Sequence, residues 1–401
     1  MTRRRSILAL AAALVAAAPG SAVAAEPPPR VPTAQAAIVI DALDGTVMFA
    51  KRPDTERSIA STTKLMTAML SLEAAEPEDV FTAPAYHPQA AESRINLREG
   101  ERMSVQDLLE ALLLESANDA AVALAENISG SRQAFVDEMN DRAAELGLDH
   151  TSYANPIGLD EEGNHSTARD LARLARILLQ NPRFARIVDT PEARLETGIR
   201  PRVVENRNDL IARYPWVDGV KTGYTTDAGN VLVGAAARGP RARVVSVVLG
   251  EPSEAARDAD TLTLLRFGLR SFKRVRVLGR GRVLARAGVA HRDETARLVP
   301  RRGVVLTVRD GERLRRRVDA PDELSGPLDA GERVGSVTIL LAGKPVRRVA
   351  LVTARPVPGA GTLRVLLSAL GVPLTLVIAL AILLAAVLAM LRYRIRVRIS
   401  R

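Results

Sequence analysis

The chain has 401 residues, 47% of them hydrophobic and 25% charged, enough apolar material for a sizeable core and incompatible with a collagen-like or broadly disordered polymer. It contains no cysteine, which excludes disulfides, a thiol nucleophile, Cys-ligated zinc and iron–sulfur clusters. The net charge of +10 sits mainly at the two ends, where Arg3, Arg4, Arg5 and then Arg392, Arg394, Arg396, Arg398 and Arg401 leave only +2 for everything between; this distribution argues against a nucleic-acid partner.

Taken in chain order, residues 1–25 read as a secretory signal: a basic start, an apolar stretch over 7–18, and the small residues Ala22-Val23-Ala24 before Glu26-Pro27-Pro28-Pro29. An uncleaved anchor is the competing reading, against which the apolar stretch is short. Residues 38–40 and 47–49 flank Asp44-Gly45, a hairpin signal. A helix is expected over about 60–70. Helical spacing recurs at Val105, Leu108, Leu109, Leu112 and Leu113, and again at Leu171, Leu174, Ile177 and Leu178. Strand-like runs return at 231–235 and 244–249. Strands outside and helices in the middle suggest one α/β domain over 26–270. Short alternating runs broken by Gly, Pro and Asp over 271–355 suggest a small all-β domain. Residues 356–364 read as a linker. Residues 365–391 carry no charge, enough for a membrane-spanning helix even if Pro373 ends or kinks it, and the arginines of the 392–401 tail then belong on the cytoplasmic side.

No G-x-S-x-G elbow, H-E-x-x-H, P-loop or G-x-G-x-x-G is present, and the four histidines sit in unrelated contexts. A different way to activate a serine is present. Ala60-Ser61-Thr62-Thr63-Lys64 opens the first helix, and the i, i+3 spacing puts Ser61 and Lys64 on one face, where the amine can take the hydroxyl proton. A lysine is a poor base at neutral pH unless burial or a second cation lowers its pKa. Ser116-Ala117-Asn118 follows a second helix, and Lys221-Thr222-Gly223 precedes a strand pair. Each triplet alone is weak. All three in the order S-x-x-K, S-x-N, K-T-G, spaced by 55 and then 105 residues, form a strong signal. The bland alternative is a capping serine, a solvated lysine and a turn glycine.

With these motifs the chain resembles the low-molecular-mass penicillin-binding proteins, the serine-type D-Ala-D-Ala carboxypeptidases. The resemblance extends to Leu97-Arg98-Glu99-Gly100-Glu101, Asn155-Pro156-Ile157-Gly158-Leu159, residues 165–171, residues 218–225 and Ala228-Gly229-Asn230, and residues 327–335 resemble the family's C-terminal β-domain. It implies an α/β (α+β) penicillin-binding, serine β-lactamase-like transpeptidase fold, then a small all-β domain and one C-terminal transmembrane helix. It also implies removal of the terminal D-alanine from peptidoglycan stem peptides, with β-lactams as covalent inhibitors and no metal or organic cofactor. Carried onto these positions, Ser61 is the nucleophile and Lys64 the base. Ser116 passes the proton to the departing amine, and Asn118 holds the peptide and orients Lys64. Lys221 and Thr222 bind the terminal carboxylate, and Lys221 helps keep Lys64 neutral. Gly223 lets the peptide approach the strand edge, and the backbone N–H groups of Ser61 and Tyr224 form an oxyanion hole. Arg257 resembles a family arginine near the carboxylate site, although a surface arginine is an equal reading. Many relatives attach by an amphipathic helix, whereas this chain's charge-free stretch reads as a true span.

A class A β-lactamase is disfavoured, since the second motif is not S-D-N and no E-x-x-L-N loop is found. A D,D-endopeptidase or transpeptidase on the same scaffold remains open, as does a catalytically silent, membrane-tethered wall-binding protein. The run Arg313-Leu314-Arg315-Arg316-Arg317 reads first as the solvated edge of the β-domain, with contact to anionic polymer or headgroups as the minority option.

Overall fold

The computed structural model describes residues 27–362, 364–365 and 374–399. The signal expected over 1–25 lies outside the described residues, as do residues 366–373 of the expected span and the last two residues of the tail.

The chain opens with a hairpin, β1 (Ala36–Asp41) and β2 (Val47–Lys51), followed by a 3-10 turn (Ala60–Thr63) that runs into α1 (Lys64–Ala74). A helical lobe follows. Its short hairpin β3 (Val80–Thr82) and β4 (Arg102–Ser104) precedes α2 (Val105–Glu110), α3 (Asn118–Ser129), α4 (Arg132–Glu145), α5 (Ala168–Leu178) and α6 (Pro182–Val188). A second short hairpin, β5 (Glu192–Leu195) and β6 (Arg202–Glu205), and one helical turn, α7 (Leu210–Arg213), return the chain to the main sheet. There β7 (Val217–Thr225), β8 (Gly229–Ala237) and β9 (Arg243–Glu251) are followed by α8 (Glu254–Arg270).

The main sheet has the order β2-β1-β9-β8-β7, and all neighbours are antiparallel. Its strands read as nearly unbroken apolar runs because both faces are covered. Ile38, Ile40, Val233, Val245 and Val247 pack with the helical lobe, while the alternate residues Val39, Leu232, Val244 and Val248 pack with Leu264, Leu265 and Leu269 of α8. The expected hairpin and the two expected strand runs fall on β1, β2, β8 and β9. Lys221-Thr222-Gly223 precedes the pair β8 and β9, as expected, and itself lies inside a further strand, β7, at the edge of the sheet. β7 also packs against the nucleophile turn.

Eight strands follow: β10 (Phe272–Leu278), β11 (Ala285–Val289), β12 (Arg292–Pro300), β13 (Val304–Arg309), β14 (Leu314–Asp319), β15 (Glu323–Leu324), β16 (Arg333–Leu341) and β17 (Lys344–Thr353). They form a two-stranded sheet, β10-β13, and a six-stranded sheet in the order β14-β16-β17-β12-β11-β15, with Leu278, Leu306, Val337, Ile339 and Leu351 in the core between them. The arginine run does lie on a sheet edge, β14, and Arg315, Arg316 and Arg317 are exposed. Arg309, at the end of β13, reaches back to the first hairpin, where it donates to the Asp41 carboxylate and, in a fork at 2.9 and 3.0 Å, to Asp44. Finally α9 (Leu374–Ile399) contains an 18-residue stretch, Thr375–Arg392, of mean hydropathy 2.5 with none of it buried, long and apolar enough to cross a membrane.

Candidate active site

Three elements bring the motif residues together. Ser61 sits half-buried in the 3-10 turn, one residue after Ala60, whose φ of +48° bends the chain into it. Lys64 is the first residue of α1 and is fully buried. Its Nζ donates to Ser61 Oγ at 3.0 Å and to the Ile157 carbonyl at 2.6 Å. The segment carrying that carbonyl is built around Asn155, whose Oδ1 accepts from the Gly158 N–H at 2.7 Å, while Thr67 of α1 donates to the Pro156 carbonyl at 2.7 Å. Gly158 has a φ of +86°, and a Cβ there would stand 2.1 Å from the Ala60 carbonyl oxygen. Only glycine permits that contact. The stretch Asn155-Pro156-Ile157-Gly158-Leu159 is thus the back wall that holds the Lys64 amine against Ser61.

The second element ends α2. The helix loosens into a π turn over Ala111–Glu115 and stops at Ser116, whose φ of +63° is left-handed. That conformation costs a non-glycine residue about 1–2 kcal/mol. It is over-determined here, because the Ala117 N–H bonds the Ala111 carbonyl at 3.0 Å and the Asn118 N–H bonds the Ser93 carbonyl at 2.8 Å. Both Ser116 and Asn118 are buried. The Asn118 amide nitrogen donates to the Glu92 carboxylate at 2.8 Å.

The third element is β7. Lys221 is 1% exposed, and its Nζ donates to the Thr222 carbonyl at 3.0 Å. The reason for glycine at 223 is packing within the protein: a Cβ there would meet the Ser61 nitrogen at 2.9 Å, Val231 Cγ2 at 2.9 Å and Ala60 Cβ at 3.0 Å. Tyr224 turns its ring to solvent, 65% exposed. Arg257 is not a surface residue. It is 4% exposed on α8, bonded to Asp258 at 3.0 and 2.9 Å and close enough to act on Lys221.

The electrostatics follow from burial. Removing Lys64 from water disfavours its charged form, the Lys221 charge pushes the same way, and the opposing pull of Glu92 and Asp119 leaves its pKa well below that of an ordinary lysine. Lys221 is pushed down to about 7, by burial first and then by Arg207 and Arg257. Two neighbours have no motif to announce them. Arg207 enters the field of Lys221 and pairs with Glu115, and Glu92 arrives on a coil that the sequence reading left unassigned.

A serine hydroxyl 3.0 Å from a buried amine whose pKa is held well below that of an ordinary lysine, with a second lysine in its field, is the arrangement of an active-serine enzyme. The comparisons agree. Residues 22–253 match the model of the peptidase S11 family, D-alanyl-D-alanine carboxypeptidase, and residues 272–358 match the penicillin-binding protein 5 C-terminal domain. The chain is 32% identical over 328 residues to D-alanyl-D-alanine carboxypeptidase DacF of Bacillus subtilis, covering 78% of this chain and 84% of that one. Among solved structures, penicillin-binding protein 5 of Haemophilus influenzae superposes with a TM-score of 0.59 at 29% identity, over 84% of this chain and all of that one. The Streptomyces K15 DD-transpeptidase gives 0.56 at 30% identity, over 61% of this chain and all of that one. The protein belongs to the peptidase S11 family of D-alanyl-D-alanine carboxypeptidases.

Proposed function

We propose that the protein hydrolyses the bond between the last two D-alanines of peptidoglycan stem peptides through an acyl-enzyme on Ser61. The observation that carries this reading is the 3.0 Å contact between Ser61 Oγ and the amine of a Lys64 buried away from water. The Lys64 amine takes the hydroxyl proton as Oγ attacks the penultimate D-alanine carbonyl. Ser116 relays a proton to the departing D-alanine nitrogen, and water then cleaves the ester. Lys221, Thr222 and Arg257 supply the positive and hydrogen-bonding end of the cleft for the terminal carboxylate, whose charge restores the proton to Lys221. Backbone N–H groups of Ser61 and Tyr224 receive the oxyanion. β-Lactams acylate the same serine.

The catalytic body works outside the cytoplasmic membrane, tethered by α9 with its arginines on the cytoplasmic side. A transpeptidase reading has one specific support, the likeness to the Streptomyces K15 DD-transpeptidase over the serine-bearing part. The test is mass spectrometry of a pentapeptide ending in D-Ala-D-Ala incubated with the full chain in detergent. Loss of one alanine, absent in Ser61→Ala, is expected. A penicillin adduct on Ser61 without alanine release would move the transpeptidase or endopeptidase reading to first place.

A further inference from the structure

Residues 84–97 form a coil that crosses the Ser116–Asn118 corner. Several bonds stitch it there. The Ser93 carbonyl takes the Asn118 N–H at 2.8 Å, and the Asp119 carboxylate takes the N–H groups of Ile95 and Leu97 at 3.2 and 2.9 Å. These tie backbone to backbone or to a helix end. The bond from Asn118 Nδ2 to Glu92 Oε2, 2.8 Å, is different in kind, because it holds a side chain of the catalytic cleft.

Glu92 is itself fixed. Its Oε1 accepts from the Gln89 N–H at 2.8 Å, its Oε2 also accepts from the Tyr86 hydroxyl, and the Arg132 guanidinium lies 5.4 Å above the Tyr86 ring. Partial burial opposes ionisation of Glu92, but the hydrogen bonds from Asn118, Tyr86 and Gln89 outweigh it and hold the carboxyl below its ordinary range. An ionised carboxylate accepts and cannot donate. The Asn118 amide must therefore turn its NH2 to Glu92 and its Oδ1 away. A neutral neighbour able both to donate and to accept would leave the two flipped states of the amide nearly equivalent.

We propose that Glu92 is a positioning residue, which locks the Asn118 amide in one of its two orientations and sets a negative charge facing Lys64 across the cleft. This rests on the roles given above to Lys64 and Asn118. The charges facing Lys64 are Lys221 from β7, Glu92 from the coil and Asp119 from α3; those facing Glu92 are Lys64 and, through the Tyr86 ring, Arg132. Glu92 pulls the Lys64 pKa up against burial and Lys221. Removing its charge therefore pushes Lys64 lower still, so the limb of the rate that needs a neutral amine moves to lower pH.

The test uses the full chain in detergent, with Glu92→Gln and Glu92→Ala, and two readouts. One is the second-order rate of acylation by a fluorescent penicillin from pH 5 to 9. The other is D-alanine release from the pentapeptide. Glu92→Ala loses both acceptor and charge, and its acylation rate should fall about tenfold or more at the plateau, the scale of a misplaced catalytic group. Glu92→Gln can donate as well as accept, so it leaves the two Asn118 orientations nearly equivalent and should lower the plateau by only about twofold to threefold, with its acid limb displaced to lower pH. Two variants folded like the parent but equally slowed, with no displacement of the limb, would leave Glu92 as mere loop packing and sink the proposal. Parent-like profiles in both would sink it too. A parent chain that is acylated yet releases no alanine overturns the carboxypeptidase reading alone, since the penicillin arm still judges Glu92.

Discussion

The nitrogen of Ser61 and the α-carbon of Gly223 meet across the cleft so closely that a single methyl group on Gly223 would lie 2.9 Å from that nitrogen. The third motif is thus in contact with the first through backbone alone. Gly223→Ala should displace the Ser61 N–H, lowering penicillin acylation by at least about tenfold, since misplacement by a fraction of an ångström is felt at this level. Far-ultraviolet circular dichroism should remain that of the parent. Parent-like acylation by the variant would show that the turn has room to give.

Gly158→Ala is a harsher change of the same kind. Its Cβ would stand 2.1 Å from a backbone oxygen, and its φ of +86° already disfavours a side chain. The back wall must move, taking the Ile157 carbonyl from Lys64. We expect a loss of stability on the order of 1–3 kcal/mol together with loss of acylation. Denaturant unfolding followed by intrinsic fluorescence measures the first, and an unchanged midpoint would contradict it.

Lys221 depresses the pKa of Lys64, so removing its charge must raise it. Lys221→Gln should move the acid limb of the acylation profile to higher pH, opposite to the displacement expected for Glu92→Gln. The effect should be largest below about pH 7, where Lys221 carries its proton. The position of the limb decides this, whatever happens to the amplitude through weaker carboxylate binding.

At the far end of β9, Glu251 is 1% exposed, with Thr33 and Asp260 beside its carboxyl. Burial, with Asp260 nearby, pushes its pKa up to about 7 from an ordinary 4.5. The folded state then holds a proton that the unfolded state has released, so stability falls as pH rises from about 4.5 to about 7 and levels off beyond. Glu251→Gln should flatten this slope. Melting temperatures of the two chains at pH 5 and pH 8 would test it, and parallel curves would count against a buried neutral carboxyl.

Arg309 should matter more than a surface arginine. The Asp41 side chain it faces is 4% exposed, and burial already raises that carboxyl's pKa. Arg309→Ala strands Asp41 without a counter-charge, a change of about 3–5 kcal/mol when a buried pair is broken. Asp41 can escape by taking a proton, so the loss should be greater at pH 8 than at pH 5. Calorimetry should also separate the β-strand domain's unfolding from that of the rest in the variant.

Much of this site could be read from the chain because its chemistry is local. Ser61 and Lys64 are three residues apart on one turn, and no knowledge of the fold is needed to see that they touch. The strands β8 and β9 announced themselves as apolar runs because both their faces are covered. What escaped was set by distant parts of the chain. Nothing in Ala-Glu-Ser-Arg says that Glu92 meets Asn118, 26 positions on. Gly158 looks like a turn residue until Ala60 is seen against it. That Lys221-Thr222-Gly223 itself forms a strand ahead of the β8–β9 pair was not legible, because a glycine weakens a strand pattern; pairing with Val231, Leu232 and Val233 overrides that weakness. Arg257 gave equal odds for surface and site because an isolated arginine carries no sign of its burial.

The fork of Arg309 on Asp41 and Asp44 has a mechanical meaning. It fastens the β-strand domain to the first hairpin of the serine-bearing domain. The ten residues of β17 alone span about 33 Å of that domain. Such a fastening makes the β-strand domain a strut for the serine-bearing domain and not a leash: the two carry load as one piece, and a pull on either is felt at the first hairpin.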